Sequence, residues 1–133
     1  MPQANIDVVR AVFEAWNRRD FDTAVSHTAH DVELHFIGGF SDVMGTKWTG
    51  REGMRRFWRE WLGTLGGRLT LERALEAGDQ IVVFGTMDTV GDTSGVPSSI
   101  RFGQVWSFRE GKVFRIDGYY DPHAALEAVG LRE

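Results

Sequence analysis

The sequence predicts an α+β protein in which helices come first and a curled antiparallel sheet follows, the two closing around an apolar cavity. Three observations predict it. Apolar residues recur at helical spacing through most of the first 65 residues. The second half is a succession of long β-rich runs separated by short Gly- and Asp-containing turns. Five tryptophans and nine phenylalanines in 133 residues exceed what a small core takes, and surplus aromatics line pockets or interfaces.

Asn5 is placed to cap a first helix, in which Ile6, Val9, Phe13 and Trp16 form the apolar stripe and Asp7, Arg10, Glu14 and Asn17 face water. Arg18-Arg19-Asp20 is a tight connection, and Asp20 caps a shorter helix carrying Phe21, Ala24, Val25 and Thr28. Asp31 to Ile37 alternates, with Val32, Leu34 and Phe36 on one face and Glu33 and His35 on the other, the pattern of a half-buried strand. An irregular stretch from Gly38 to Gly50 carries Phe40, Met44 and Trp48 and is read as a lid over the open end. A third helix spans Arg51 to Leu65, with Met54, Phe57, Trp58, Trp61 and Leu62 as its stripe, and Gly66-Gly67 stops it.

Strands follow over Arg68–Ala77, Gln80–Val90, Ser98–Arg109 and Lys112–Tyr120. Their turns, Gly78-Asp79, Gly91 to Gly95 and Glu110-Gly111, suit a meander of hairpins. Asp121 caps a final short helix with Pro122 at its first position, running to Gly130. No repeat or linker interrupts this order, so residues 1–133 are read as one domain.

Alternation divides each long strand into two faces. Val82, Phe84, Thr86 and Asp88 are read as inward in the second long strand, leaving Ile81, Val83, Gly85 and Met87 outside. In the third, Phe102, Gln104, Trp106 and Phe108 face in, and Val105 faces out. An antiparallel sheet covered on one side has a wet outer face. Val83, Met87 and Val105 on that face therefore predict a homodimer through the outer side of the sheet. In the last strand Phe114, Ile116 and Tyr120 are inward, and Arg115 with Asp117 form an outward pair.

The net charge of −4, from 15 basic and 19 acidic residues, argues against a nucleic-acid partner. The basic cluster Arg51, Arg55, Arg56 and Arg59 reads as a solvated helix face. With no cysteine there is no disulfide, zinc-thiolate site or thiol nucleophile. The N-terminus lacks the pattern of an export signal and no apolar run reaches the ~20 residues of a membrane span, so no membrane association and a cytoplasmic location are expected. His27, His30, His35 and His123 lack metal-ligand spacing, so neither a metal nor a cofactor is expected.

Several segments resemble the SnoaL-like branch of the nuclear-transport-factor-2-like superfamily. Phe13 to Phe21 is similar to that family's helix–turn–helix opening. Asp31-Val32-Glu33-Leu34-His35 followed by Thr49-Gly50-Arg51-Glu52-Gly53 is similar to its strand and the start of its third helix. Glu110-Gly111-Lys112-Val113 and Tyr119-Tyr120-Asp121 resemble its ending. The resemblance covers essentially the whole chain. It implies a cone, a strongly bent antiparallel or mixed sheet wrapped around three N-terminal helices with a short C-terminal helix, and often a dimer through the sheet. The family spans isomerases, polyketide cyclases, epoxide hydrolases and binding domains, so the fold alone does not name a reaction.

Set against the family's chemistries, the residues decide two of them. The base, tyrosine and acid positions of ketosteroid-isomerase-type catalysis fall on Phe36, Val12 and Gln104, which leaves base and tyrosine roles unfilled. Limonene-epoxide-hydrolase-type catalysis keeps Asp88 in Thr86-Met87-Asp88, but its second aspartate falls on Gly118, and its water-positioning residues on Leu34 and Phe36. The expectation is therefore a small-molecule-binding protein, a cofactor-free acid–base enzyme of isomerase, cyclase or hydrolase type acting on a hydrophobic polyketide-, steroid- or terpenoid-like compound. The alternative is a non-catalytic binding or dimerisation domain with an aromatic-filled cavity. Asp88, a carboxylate among apolar side chains, is the candidate base, and His35 the candidate proton shuttle, although its alternation points it outward. Trp16, Phe36, Phe40, Trp48, Trp58, Trp61, Phe102, Gln104, Trp106 and Tyr120 are the candidate substrate-binding residues. Gln104 within an apolar alternation requires a partner, because burying an amide unpaired costs about 1–3 kcal/mol.

Overall fold

In the computed structural model, residues 2–37, 47–64, 68–90, 97–119 and 122–130 are described. Helix α1 spans Pro2–Asn17 and α2 Phe21–Ser26. Strands β1 (Thr28–Ile37) and β2 (Lys47–Thr49) precede α3 (Gly50–Thr64). Strands β3 (Arg68–Ala77), β4 (Gln80–Val90), β5 (Pro97–Arg109) and β6 (Lys112–Tyr119) lead to α4 (Pro122–Ala128). The sheet is mixed, in the order β2-β1-β6-β5-β4-β3. Among the described residues, only β1 and β6 pair in parallel. It curls without closing, and α1 and α3 lie on its concave side, which gives the expected cone.

The first helix begins at Pro2 rather than after Asn5, because proline has no N–H to leave unpaired in a first turn. Its other end closes with Arg19 in the left-handed conformation (φ 60), Arg19 N–H donating to Trp16 O and Asp20 N–H to Ala15 O. Asp20 then caps α2 by accepting from Thr23 N at 3.2 Å and Thr23 Oγ1 at 2.6 Å. Thr28, expected on α2, opens β1 instead, its hydroxyl donating back to Val25 O at 2.7 Å. Strand β2 was not foreseen; it pairs Trp48 with Leu34. Asn17 binds the edge strand from the end of α1, donating to Leu69 O and accepting from Leu69 N, both at 2.8 Å.

The arginines of α3 are not simply solvated. Arg51 donates to Thr28 O, Arg55 pairs with Asp22 at 2.8 Å, and the Arg56 guanidinium lies 5.3 Å from the Trp48 ring. These contacts fasten α3 to α2 and to the β1–β2 edge.

The register of β4 corrects the assignment of its faces. Ile81, Val83 and Gly85 pair with Trp106, Gln104 and Phe102, and Ile81, Val83 and Met87 belong to the core on the concave side. Val82 and Phe84 point to the convex side, where with Val105 they are buried beneath Ala125 and Leu126 of α4. The cause is α4, which covers part of the outer face and so makes β4 apolar on both sides. Val83, Met87 and Val105, on which a subunit contact was expected, are all buried within the chain.

In β6, Ser107 pairs with Arg115 but Phe108 with Val113, so Phe114 is an extra residue in a bulge. The bulge keeps both Val113 and Ile116 in the core and turns Phe114 out, with the Arg109 guanidinium 5.0 Å from its ring. The expected inward Phe114 is thereby corrected. Arg115 and Asp117 form the outward pair, Nε to Oδ1 at 3.0 Å.

Candidate functional site

A cavity of about 80 Å³ lies between the concave face of the sheet and helices α1 and α3. Helix α1 contributes Val12, Phe13 and Trp16, and α3 contributes Met54, Phe57 and Trp58. Strand β1 adds Leu34 and Phe36, and β3 adds Leu69. From β5 come Phe102, Gln104 and Trp106, and from β6 Ile116 and Gly118. Each group follows from local periodicity: the helical stripes and the inward strand positions converge because the sheet curls.

The aromatic walls are interlocked. Trp16 meets Trp58 edge-on, with centroids 5.6 Å apart, and Phe21 packs on both indoles. Phe36 and Phe57 are 5.1 Å apart, and Phe13 touches both Phe102 and Trp106. Two glycines shape the space. A Cβ on Gly85 would lie 2.9 Å from the Phe102 ring, and one on Gly118 would lie 3.1 Å from the Phe36 ring. Glycine at these points lets each ring lie flat over a neighbouring strand.

Polar groups are few. The Trp106 indole donates to Gln104 Oε1 at 2.8 Å, so the partner required for that amide is an indole two residues away on its own strand. Trp16 Nε1 is buried with no hydrogen-bond partner among the described residues. No carboxylate, histidine, lysine, arginine or tyrosine is among the described residues of the wall.

The candidate catalytic residues are elsewhere. Asp88 is exposed on the convex side, accepting from Ser99 Oγ at 2.6 Å, because the faces of β4 are the reverse of those expected. His35 is also on the outer face, its Nε2 3.0 Å from Glu33 Oε1. Glu33 in turn lies 3.0 Å from Lys47 Nζ, and hydrogen bonds from Lys47 and then His35 lower its pKa. His35 and Asp88 therefore face away from the cavity. Of the candidate binding residues, Trp16, Phe36, Trp58, Phe102, Gln104 and Trp106 share the wall. Trp48 lies behind it, 5.6 Å from Phe57. Phe40, Met44 and Tyr120 fall outside the described residues, as does the side chain of Trp61.

Val12, Phe13, Leu34, Met54, Phe57, Leu69, Ile116 and Gly118 belong to the wall without having been singled out as binding residues. Most carried only an ordinary core pattern. Gly118 had a sharper signal, since glycine inside a strand marks a close approach of another group. Among the described residues, no cluster of three or more His, Asp or Glu is placed to hold a metal ion. No helix among them is long and apolar enough to cross a membrane.

The curled mixed sheet over N-terminal helices, with an apolar hollow inside the cone, defines the nuclear-transport-factor-2-like class of folds. The SnoaL-like domain model matches residues 9–116, and the chain belongs to that family. Among solved structures it is similar to TerC, co-crystallised with polyporic acid, at 29% identity and a TM-score of 0.79, over 95% of this chain and 98% of that one. An NTF2-like protein of unknown function from Burkholderia pseudomallei is 26% identical, with a TM-score of 0.79 over 96% and 98% of the two chains. A Mycobacterium tuberculosis protein in complex with estradiol-17beta-hemisuccinate shares the fold at 17% identity and a TM-score of 0.75, over 89% and 94%. No curated protein gives a significant match.

Proposed function

We propose that this chain binds a neutral, largely apolar small molecule inside the cone, holding it by shape and burial. The observation that carries this reading is the cavity wall, apolar and aromatic, with Gln104 its one amide and no ionisable side chain among its described residues. Such a site gains from transferring apolar surface out of water, at about 25 cal/mol per Å². It repels charge, because an unpaired ion loses its hydration there. The co-crystallisation of TerC with polyporic acid and the estradiol-17beta-hemisuccinate complex of the mycobacterial protein support it by likeness.

Acid–base catalysis requires a proton-transferring group within hydrogen-bonding reach of the ligand. Asp88 and His35 do not meet that condition, since both lie on the other face of the sheet. The test is a thermal-shift and tryptophan-fluorescence titration with neutral bicyclic and steroid-like probes. Saturable binding is expected in the wild type, unchanged in Asp88→Asn and His35→Gln, and lost in Val12→Phe, which fills the cavity. Binding that survives Val12→Phe, or is lost in Asp88→Asn, overturns the reading.

A further inference from the structure

Outside the cavity a groove of about 390 Å³ runs between α1 and the edge strand β3, with Arg10, Glu14, Arg68 and Arg73 among its lining residues. Phe13 and Leu69 line both spaces. Leu69 is partly exposed to solvent while it also faces the cavity, so the wall there is one side chain thick. Asn17 closes this partition. Its Nδ2 donates to Leu69 O and its Oδ1 accepts from Leu69 N, both at 2.8 Å. The side-chain amide takes the place of a neighbouring strand and ties α1 to β3 at the residue that separates inside from outside.

The rest of the described wall is held more firmly. Strands β1, β5 and β6 each lie between two other strands. Helix α3 is fastened to α1 by Trp58 on Trp16 and to α2 by Arg55 on Asp22. Strand β3 has β4 alone beside it. Its ladder is also interrupted: Leu71 pairs with Gly85 but Arg73 with Phe84, which leaves Glu72 as an extra residue in a bulge. Gly85 brings no side chain to hold Leu71 across the ladder. Residues Arg68 to Leu71 are therefore a short arm beyond a bulge, and weakly held segments of this kind open locally while the rest of a fold stays intact.

We propose that ligands reach the cavity through the seam between α1 and β3, with Asn17 as the latch, the bulge at Glu72 as the hinge and the outer groove as the antechamber. This rests on the reading of the cavity as a binding site and adds the route into it. Opening breaks the two hydrogen bonds of Asn17 and moves Leu69 away from Phe13. The closed cavity of about 80 Å³ then joins a space several times larger.

The experiment follows tetralin binding by stopped-flow tryptophan fluorescence in the wild type, Asn17→Ala and Arg56→Ala. The last loosens the opposite rim, where the Arg56 guanidinium lies 5.3 Å from the Trp48 ring. A gated site gives an association rate that levels off at the opening rate. Removing both hydrogen bonds of the latch is expected to raise that plateau about tenfold. Dissociation passes through the same opening, so its rate rises by the same factor and the dissociation constant stays nearly unchanged. Arg56→Ala is expected to leave the plateau where it is. In the wild type, hydrogen exchange of the Leu69 amide is followed by nuclear magnetic resonance at a pH where opening limits it. It is expected to run at the plateau rate measured at that pH, a readout that does not depend on any variant folding. A plateau unchanged in Asn17→Ala, one raised instead by Arg56→Ala, or tetralin entering faster than the Leu69 amide exchanges overturns the route while the cavity remains a binding site. If tetralin does not bind the wild type, the binding reading itself falls, and the route with it.

Discussion

Asp20 shows how single side chains set the acid stability of this chain. The Thr23 hydroxyl and then the Thr23 amide hydrogen-bond its carboxylate and lower its pKa. The unfolded chain takes up a proton first as pH falls, so the stabilisation is present above the ordinary carboxylate pKa of about 4 and is lost below it. Glu33, lowered by Lys47 and His35, shares that window. His27 acts higher on the scale: burial and then Lys112 lower its pKa, so its neutral form belongs to the folded state. Its contribution is present above about pH 6.5, the ordinary histidine value, and is lost as pH falls below that. Urea midpoints measured across pH are therefore expected to decline in two stages. His27→Gln should flatten the upper stage, and Asp20→Asn should shrink the lower one without abolishing it. If His27→Gln leaves the upper stage unchanged, its burial is not the cause.

At the scale of elements, α4 decides what the convex face can be. It crosses β5 at Gly103, where a Cβ would lie 2.9 Å from both Ala125 Cβ and Pro122 Cα. Docking there buries Val82, Phe84 and Val105, which would otherwise form an exposed apolar patch on the sheet. Gly103→Val is expected to push α4 off and cost about 1–3 kcal/mol, the usual penalty of overpacking. The freed patch should also make the variant associate with rising concentration. Chemical denaturation and light scattering read the two effects, and a variant as stable and as dispersed as the wild type would show that α4 does not depend on this contact. The same element explains why β4 misleads when read alone. Its run from Ile81 to Phe84 is buried on both faces, so alternation cannot say which face meets α1.

At the scale of the whole molecule, the cavity is closed tighter than its proposed use requires. Its volume of about 80 Å³ is well below the roughly 150 Å³ of an apolar cavity that admits benzene. A bicyclic ligand therefore enters only if the aromatic walls repack. Ligand association followed by stopped-flow tryptophan fluorescence is expected to reach a plateau rate at high ligand concentration, set by that opening step. A rate that climbs linearly to diffusion-limited values would mean the cavity is already open. The near-ultraviolet circular dichroism should change on binding for the same reason, because Trp16, Trp58 and Trp106 all belong to the wall.

The sequence by itself determined the class, the order of the main elements and the inward row Phe102, Gln104 and Trp106, because period and turn chemistry are local properties of the chain. It also carried β3 and β4 to their observed ends, since Gly78 and its neighbours mark that turn unambiguously. Tertiary structure alone decided which face of β4 lies inside, the bulge that turns Phe114 outward, the parallel pairing of β1 with β6, and the removal of Asp88 from the cavity. The physical reason is common to these. A strand's period of two sorts side chains into two sets, but which set is buried depends on the helix that packs against each face, and one extra residue reverses the sorting from that point on. That is why the aromatic part of the wall, Trp16, Phe36, Trp58, Phe102 and Trp106, could be read from the chain while the placement of its candidate catalytic residues could not.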